Sequence, residues 1–319
     1  MALLYISAMV LWPLQEIKIN GFAQGTTYSL SYYAPDSLVT KAQIDSILTE
    51  IDKSMSLYRA NSTINRFNKT DKGLDIDLHF ATVVKRAFEI YKDTDGSFDI
   101  TVAPLVQLWG FGPKKINVFP DSAAIKKIMP CIGMDKLQLN HHYLSKQKPC
   151  INIDLNGIAQ GYTVDVIAAF LQLKGIKSYL VEVGGELRVK GAKPDGKLFL
   201  IGIEGPAKKQ QHTVQFKEGA ITTSGNYERY LMNKGQKISH LIDPKTGYPL
   251  KNEMISVTVY AKDAITADGY DNALMAMSVD QALAFVAKRK NLETYIIYKR
   301  QNGEIADTLS AGFKKIIVN

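Results

Sequence analysis

The sequence predicts an α+β fold of mixed, largely antiparallel sheets flanked by helices, and three observations predict it. Apolar residues recur at helical spacing only in separate blocks. From Ser178 to Ala261 short β-branched and aromatic runs alternate with turn strings such as Gly184-Gly185, Pro194-Asp195-Gly196 and Pro244-Lys245-Thr246-Gly247. The order of these blocks is not a regular β-α-β alternation. No repeat or low-complexity linker interrupts residues 16–319, so the expectation is one integrated domain behind an apolar leader at 1–15.

In chain order, residues 16–33 alternate apolar and polar around Gly21 and Gly25, which reads as a strand pair. Ile44, Ile47, Ile51 and Met55 then share one helix face and deliver Met55-Ser56-Leu57-Tyr58. A second helix starts at Asp77, runs through Val83, Ala87 and Tyr91 and stops near Gly96, and Asp121 caps a short third. Cys150–Leu155 reads as a strand that turns into a helix between Gly157 and Gly175. After the antiparallel region, two helical segments, 264–277 and 280–289, and two strands complete the chain.

With 46% hydrophobic residues among 319, burying a sizeable core is no obstacle. The net charge of +8 is carried by scattered lysines such as Lys114/Lys115, Lys126/Lys127 and Lys208/Lys209, without a zinc-finger spacing, basic helix or aromatic RNA-binding motif. A nucleic-acid partner is therefore not expected; a polyphosphate ligand or an anionic surface fits better. Cys131 and Cys150, the only cysteines, flank a hairpin turned at Asn140-His141-His142. A bridge between them is geometrically conceivable, and two free thiols are the favoured reading. Met1–Trp12 matches the apolar core of an export signal in length, but it lacks a basic start, a small-residue cleavage site and a lipid-accepting cysteine. A truncated export signal and an apolar leader packed on the domain both remain open.

The chemistry concentrates in a few strings. In Ala267-Asp268-Gly269-Tyr270-Asp271-Asn272-Ala273, Asp268 and Asn272 stand four apart on one helix face, an oxygen pair suited to a hard cation. A capped helix start with a solvated acidic turn reads the same residues without function. Asp154-Leu155-Asn156-Gly157-Ile158-Ala159-Gln160-Gly161 places two glycines at a strand-to-helix turn, where backbone amides can receive phosphate oxygens or simply pack closely. An imidazole is suited to taking a proton from an attacking hydroxyl, and His240 stands just ahead of Asp243-Pro244, although a lone histidine is more often only hydrogen-bonded. Asp99 sits among apolar neighbours and is either buried polar machinery or the cap of the 102–109 segment.

Taken in order, GFAQGTTYSL, MSLYRANSTINRFN, GSFDITVAPLVQLWGFG, IDLNGIAQGYTVD, VEVGGELRVKG, TTSGNYERY, SHLIDPKTGYPL and VTVYAKDAITADGYDNAL resemble the ApbE-type flavin transferase family from about Phe22 to the end. The resemblance implies an ApbE/T-fold-like domain that binds FAD and magnesium and moves FMN to a threonine of another protein with release of AMP. It carries the metal to the Ala159 main-chain oxygen, Asp268 and Asn272, and the general base to His240. Flavin and adenine contacts fall on Gln24, Tyr58, Asp99, Ile100, Thr101, Gln160, Asp165 and Leu241. Two positions depart from the family pattern. Gln160 replaces a common lysine and cannot offset phosphate charge. Asn272 replaces a usual threonine and still offers an oxygen, while Asp271 points about a hundred degrees away and is not expected to substitute for it. The implied partner is an acceptor protein with a threonine flavinylation motif, a subunit of a membrane redox complex. The implied workplace is the periplasm or the outer face of the cytoplasmic membrane. An FAD pyrophosphatase using the same site, and a non-catalytic flavin binder, are the competing readings.

Overall fold

Alternating burial turns the first part of the chain into a hairpin. β1 (Gln15–Ala23) and β2 (Thr26–Ala34) pair along their full length, from Gln15 opposite Ala34 to Ala23 opposite Thr26. Gln24 and Gly25 both take positive φ, 54° and 78°, the mirror-image turn that matches the twist of paired strands. The computed structural model describes residues 13–206, 210–227, 230–233 and 235–318, without the side chain of Gln210. The leader at 1–12 and Lys208/Lys209 therefore lie outside the described residues.

α1 (Lys41–Met55) buries Ile44, Leu48, Ile51 and Met55 and begins at a Thr40–Gln43 capping box. α2 (Thr63–Lys69) and β3 (Gly73–Asp75) lead into α3 (Leu78–Asp93), where the Phe80 N–H donates to the Asp77 carboxylate as the cap position requires. The 102–109 segment is a single 3-10 turn, Ile100–Val102, running into α4 (Ala103–Leu108), with Asp99 capping the turn. α5 (Ser122–Ile128) starts on Asp121. β4 (Leu137–Asn140) and β5 (Tyr143–Lys146) form the hairpin expected around His141-His142.

Two expectations for the next stretch are corrected. Cys131 and Cys150 are not free thiols: they form a disulfide, with Cα atoms 5.6 Å apart, because the hairpin between them folds the chain back on itself. Residues 151–155 are not a strand, although Ile151, Ile153 and Leu155 are buried at alternate positions. Their backbone groups are served elsewhere. Asn68 donates to the Ile153 carbonyl at 3.0 Å and accepts from its N–H at 2.8 Å, and the Asp154 N–H donates to the Ile100 carbonyl at 2.8 Å.

The second half contributes α6 (Ala159–Leu173), β6 (Tyr179–Val183), β7 (Glu186–Lys190), β8 (Leu200–Glu204), β9 (Gln210–Gln215) and β10 (Glu218–Gly225). β11 (Tyr230–Asn233), β12 (Gln236–Ser239), β13 (Met254–Ala261), α7 (Ala264–Met275), α8 (Val279–Ala287), β14 (Glu293–Lys299), β15 (Ile305–Leu309) and β16 (Ile317–Val318) follow. Eight strands form the main sheet in the order β1-β2-β6-β7-β10-β13-β14-β15, and every described strand pairing is antiparallel. α6 and α7 cover one face of it over Val181, Val183, Ala220, Val257 and Val259. The other face packs Ile221, Tyr295 and Ile297 against the small sheet β16-β9-β8. A satellite cluster of Leu105, Trp109, Ile125, Ile132 and Ile238 joins α4 and α5 to β12, and the Trp109 indole N–H donates to the Gly247 carbonyl at 2.8 Å. Among the described residues no helix is long and apolar enough to cross a membrane.

Candidate active site

α7 does not owe its acidic residues to capping. Asp263 caps it, accepting from the Thr266 N–H, and Asp268 lies a turn further in with 2% of its surface exposed. The first turn of α6 lies against it: the Gly161 N–H donates to Asp268 Oδ2 at 2.8 Å. This approach requires glycine, since a Cβ on residue 161 would stand 2.3 Å from the Ala264 carbonyl oxygen. Asn272, one turn beyond Asp268, donates through Nδ2 to the Asp268 carbonyl at 3.1 Å and to Asp271 Oδ1 at 2.9 Å, while the Ser224 hydroxyl donates to its Oδ1 at 3.4 Å. Ala159 presents its carbonyl at the same helix start, where it accepts from Thr163 Oγ1 at 2.8 Å. The solvated acidic turn is thus excluded, and the three residues expected to hold a metal stand at one α6–α7 junction.

Two cavities border this junction. One of about 220 Å³ is lined by Asp99, Ile100, Phe111, Asp154, His240, Leu241 and Asn272 among others. A second of about 730 Å³ is lined by Gln24, Tyr58, Arg59, Ala159 and Gln160 among others. Asn156 is a wall residue of both, so the two adjoin beside the α6 N-terminus and are taken together as the candidate cleft. Gln24 is held by an Nε2 bond to Thr163 Oγ1 at 3.2 Å, and Gln160 donates to the Val183 carbonyl at 3.1 Å, which ties the departing glutamine to the main sheet. The Tyr58 ring is largely exposed, and His240 meets Phe111 edge to face with ring centres 6.2 Å apart.

Two of the expected contact residues do not line the cleft. Thr101 is buried behind Asp99, donating to Asp99 Oδ1 at 2.6 Å and accepting from the Gly133 N–H at 2.7 Å, so it positions the aspartate. Asp165 accepts from Arg188 Nη1 at 2.5 Å, from the Ala264 N–H at 3.0 Å and from the Ile265 N–H at 2.9 Å, which anchors the start of α7. Asp271 is buried beside Asn272, outside the cleft lining, as its helical angle requires.

Burial sets the electrostatics. It raises the Asp99 carboxyl to about 6, against the opposing Thr101 hydrogen bonds. Asp268 is raised to about 7, again by burial, against the Gly161 N–H. Asp271 and Glu186 are pushed up by burial and by the neighbouring carboxylates, Asp268 foremost. Glu186 Oε2 is out of solvent and has no hydrogen-bond partner among the described residues. Sequence reasoning passed over Glu186, Arg59, Asn156 and Phe111 as site residues. All four stand within the family-like strings quoted above, but a string does not say which side chains it aims into a cavity or buries beside a carboxylate.

The ApbE family model matches residues 24–296. This chain belongs to the ApbE family. Among curated relatives, an FAD:protein FMN transferase of Vibrio cholerae is 37% identical over 315 residues, covering 96% of this chain and 94% of its own length. One of Haemophilus influenzae is 36% identical, covering 94% and 91%. Among solved structures, the flavin transferase ApbE from Vibrio cholerae matches with a TM-score of 0.86 at 35% identity, covering 95% of this chain and 100% of that one. The apo form of the Pseudomonas stutzeri flavinyl transferase ApbE gives 0.87 at 32%, covering 97% and 98%. The α+β architecture read from the sequence is the architecture of these ApbE structures.

Proposed function

We propose that the chain transfers FMN from FAD to a threonine hydroxyl of an acceptor protein and releases AMP, with magnesium as cofactor. The observation that carries this reading, beyond family membership, is the smaller cavity: its lining includes both Asn272 at the α6–α7 junction and His240, and Asp268 is buried one helical turn before Asn272.

The donor set suits magnesium. Asp268 is a carboxylate taken out of water with one short backbone donor, an arrangement that favours a cation beside it. The Asn272 amide oxygen and the Ala159 carbonyl are further hard donors, and magnesium needs few protein ligands when phosphates and water complete its shell. Among the described residues no group of three or more His, Cys, Asp or Glu is arranged to hold a metal, which leaves this sparser, mixed oxygen set. When bound, magnesium supplies positive charge to the pyrophosphate oxygens of FAD.

The chain's own residues do the rest. The α6 N-terminus, ending the Asp154–Gly157 turn, offers a positive dipole end to phosphate. His240 takes the proton of the threonine hydroxyl as its oxygen bonds to the FMN phosphorus, and the bond from that phosphorus to the bridging oxygen of AMP breaks. Gln160, neutral and tied to Val183, contributes no charge to this step. The Cys131–Cys150 disulfide supports work in an oxidising compartment, the periplasm or the outer face of the cytoplasmic membrane, where a subunit of a membrane redox complex would be the acceptor.

Purified protein, FAD, magnesium and a candidate acceptor domain test the reading, with AMP release and the acceptor's intact mass as readouts. The expected result is an FMN-sized mass gain that requires magnesium and is lost in Asp268→Ala. AMP with free FMN and an unmodified acceptor would indicate hydrolysis. Tight FAD binding without AMP would leave only a flavin binder.

A further inference from the structure

We propose that the lobe beside His240 is the acceptor-docking surface, and that it receives an acidic segment of the acceptor polypeptide; this rests on the transfer reading above. The acceptor hydroxyl has to reach His240, and the smaller cavity that His240 lines is also lined by Phe111, Pro244 and Leu250. Those residues belong to segments 110–130 and 230–251, which pack together on the satellite cluster through Phe111, Phe119, Ile125, Ile238 and Ile242. The loop after α4 is tied back to the helix: Gln107 donates to the Lys114 carbonyl at 2.7 Å and accepts from its N–H at 3.0 Å.

Charge is concentrated on this lobe. Segments 110–130 and 230–251 carry eight lysines against two aspartates, six of the chain's eight net positive charges. Both aspartates are engaged by their own backbone, Asp121 capping α5 and Asp243 accepting from the Lys245 N–H. Lys245 is answered by Asp95 at 3.1 Å. Lys114, Lys115, Lys126, Lys127, Lys237 and Lys251 are exposed and form no ion pair among the described residues. Large apolar side chains share the lobe: Val118 is 80% exposed and Met232 59%, with Tyr230 and Tyr248 also exposed and the Lys237 ammonium 4.2 Å from the Tyr230 ring centre. Cations alone would attract any anion, whereas cations interspersed with exposed aromatic and methionine side chains suit a polypeptide whose acidic groups flank apolar ones.

Three fluorescein-labelled peptides of about 16 residues, each with one central threonine and differing only in whether four flanking positions are Asp, Ser or Lys, provide the probe. The acidic peptide should bind about tenfold tighter than the neutral one at low salt, and that preference should fade as salt is raised. Lys114→Glu/Lys115→Glu/Lys237→Glu should abolish the preference while FAD affinity and thermal midpoint stay at the parent's values. Equal binding of acidic and neutral peptides overturns the proposal, as does a preference that survives in the triple variant. Tight binding to vesicles containing a quarter anionic lipid, without any peptide preference, overturns it too by assigning the charge to a membrane surface. A parent that transfers FMN yet shows no peptide preference refutes only the docking surface, whereas a parent that releases no AMP from FAD refutes the transfer reading beneath it.

Discussion

At one end of the site Asn272 lines the cavity and Asp268 is buried behind it on α7, a helix packed against α6 and the main sheet, so that moving either side chain means moving packed helices. At the other end His240 follows the two-stranded β11–β12 hairpin and leads into a turn, and its surroundings are the small satellite cluster. The difference separates two demands. A buried oxygen set works only if its geometry is held without water, which close helix packing achieves. The proposed base, which would have to meet an incoming protein, stands on segments that tolerate solvent on one side.

The comparison can be broken most directly at His240. His240→Ala should lower the transfer rate by about 10² to 10⁴ while leaving FAD affinity and the thermal midpoint near the parent's values, as expected of a proton acceptor on a turn. Parallel loss of FAD binding would mean that the histidine holds the substrate. At the packed end, Gly161→Ala should cost roughly 3 kcal/mol of stability and also impair transfer, because the new Cβ meets the backbone of α7. Unchanged denaturant midpoints in that variant would show that the α6–α7 junction yields easily. Opening the 131–150 bridge, by Cys131→Ser/Cys150→Ser, removes a closure of 19 residues and should destabilise by roughly 3 kcal/mol in urea unfolding.

The smallest effect concerns pH. Burial raises the Asp99 carboxyl to about 6, so the folded protein holds that proton more tightly than the unfolded chain does. Its stabilising contribution is complete below the ordinary aspartate range near pH 4 and is lost as pH rises to about 6, a change on the order of 2–3 kcal/mol. Asp268, Asp271 and Glu186 are shifted in the same direction, so the informative quantity is the difference between parent and Asp99→Asn. Urea midpoints of the variant should fall less steeply between pH 4 and 6; parallel slopes would place the titration elsewhere.

Much of this was legible before any coordinates. Asp77 and Asp121 cap the helices they precede, and the hairpin at His141-His142 turns where expected, because caps and tight turns are decided by residues adjacent in sequence. The i, i+4 spacing of Asp268 and Asn272 likewise put them on one helix face. What misled was context. Cys150–Leu155 has the alternating burial of a strand, yet its hydrogen bonds go to Asn68 and Ile100, residues distant in sequence. Cys131 and Cys150 differ from a pair of free thiols only through the return of the hairpin between them.

By itself the sequence determined the helices, most of the strands and the family, and named the candidate site residues, since periodicity, capping and ordered motifs act over a few positions at a time. Tertiary structure alone decided that Asp268 is a buried ligand candidate and no cap, that Asp165 and Thr101 support other groups, and that Asn156 stands in the wall between two adjoining cavities. Those outcomes depend on which surfaces meet across long stretches of chain, and burial, which raises the carboxyls of Asp99 and Asp268, exists only once they have met.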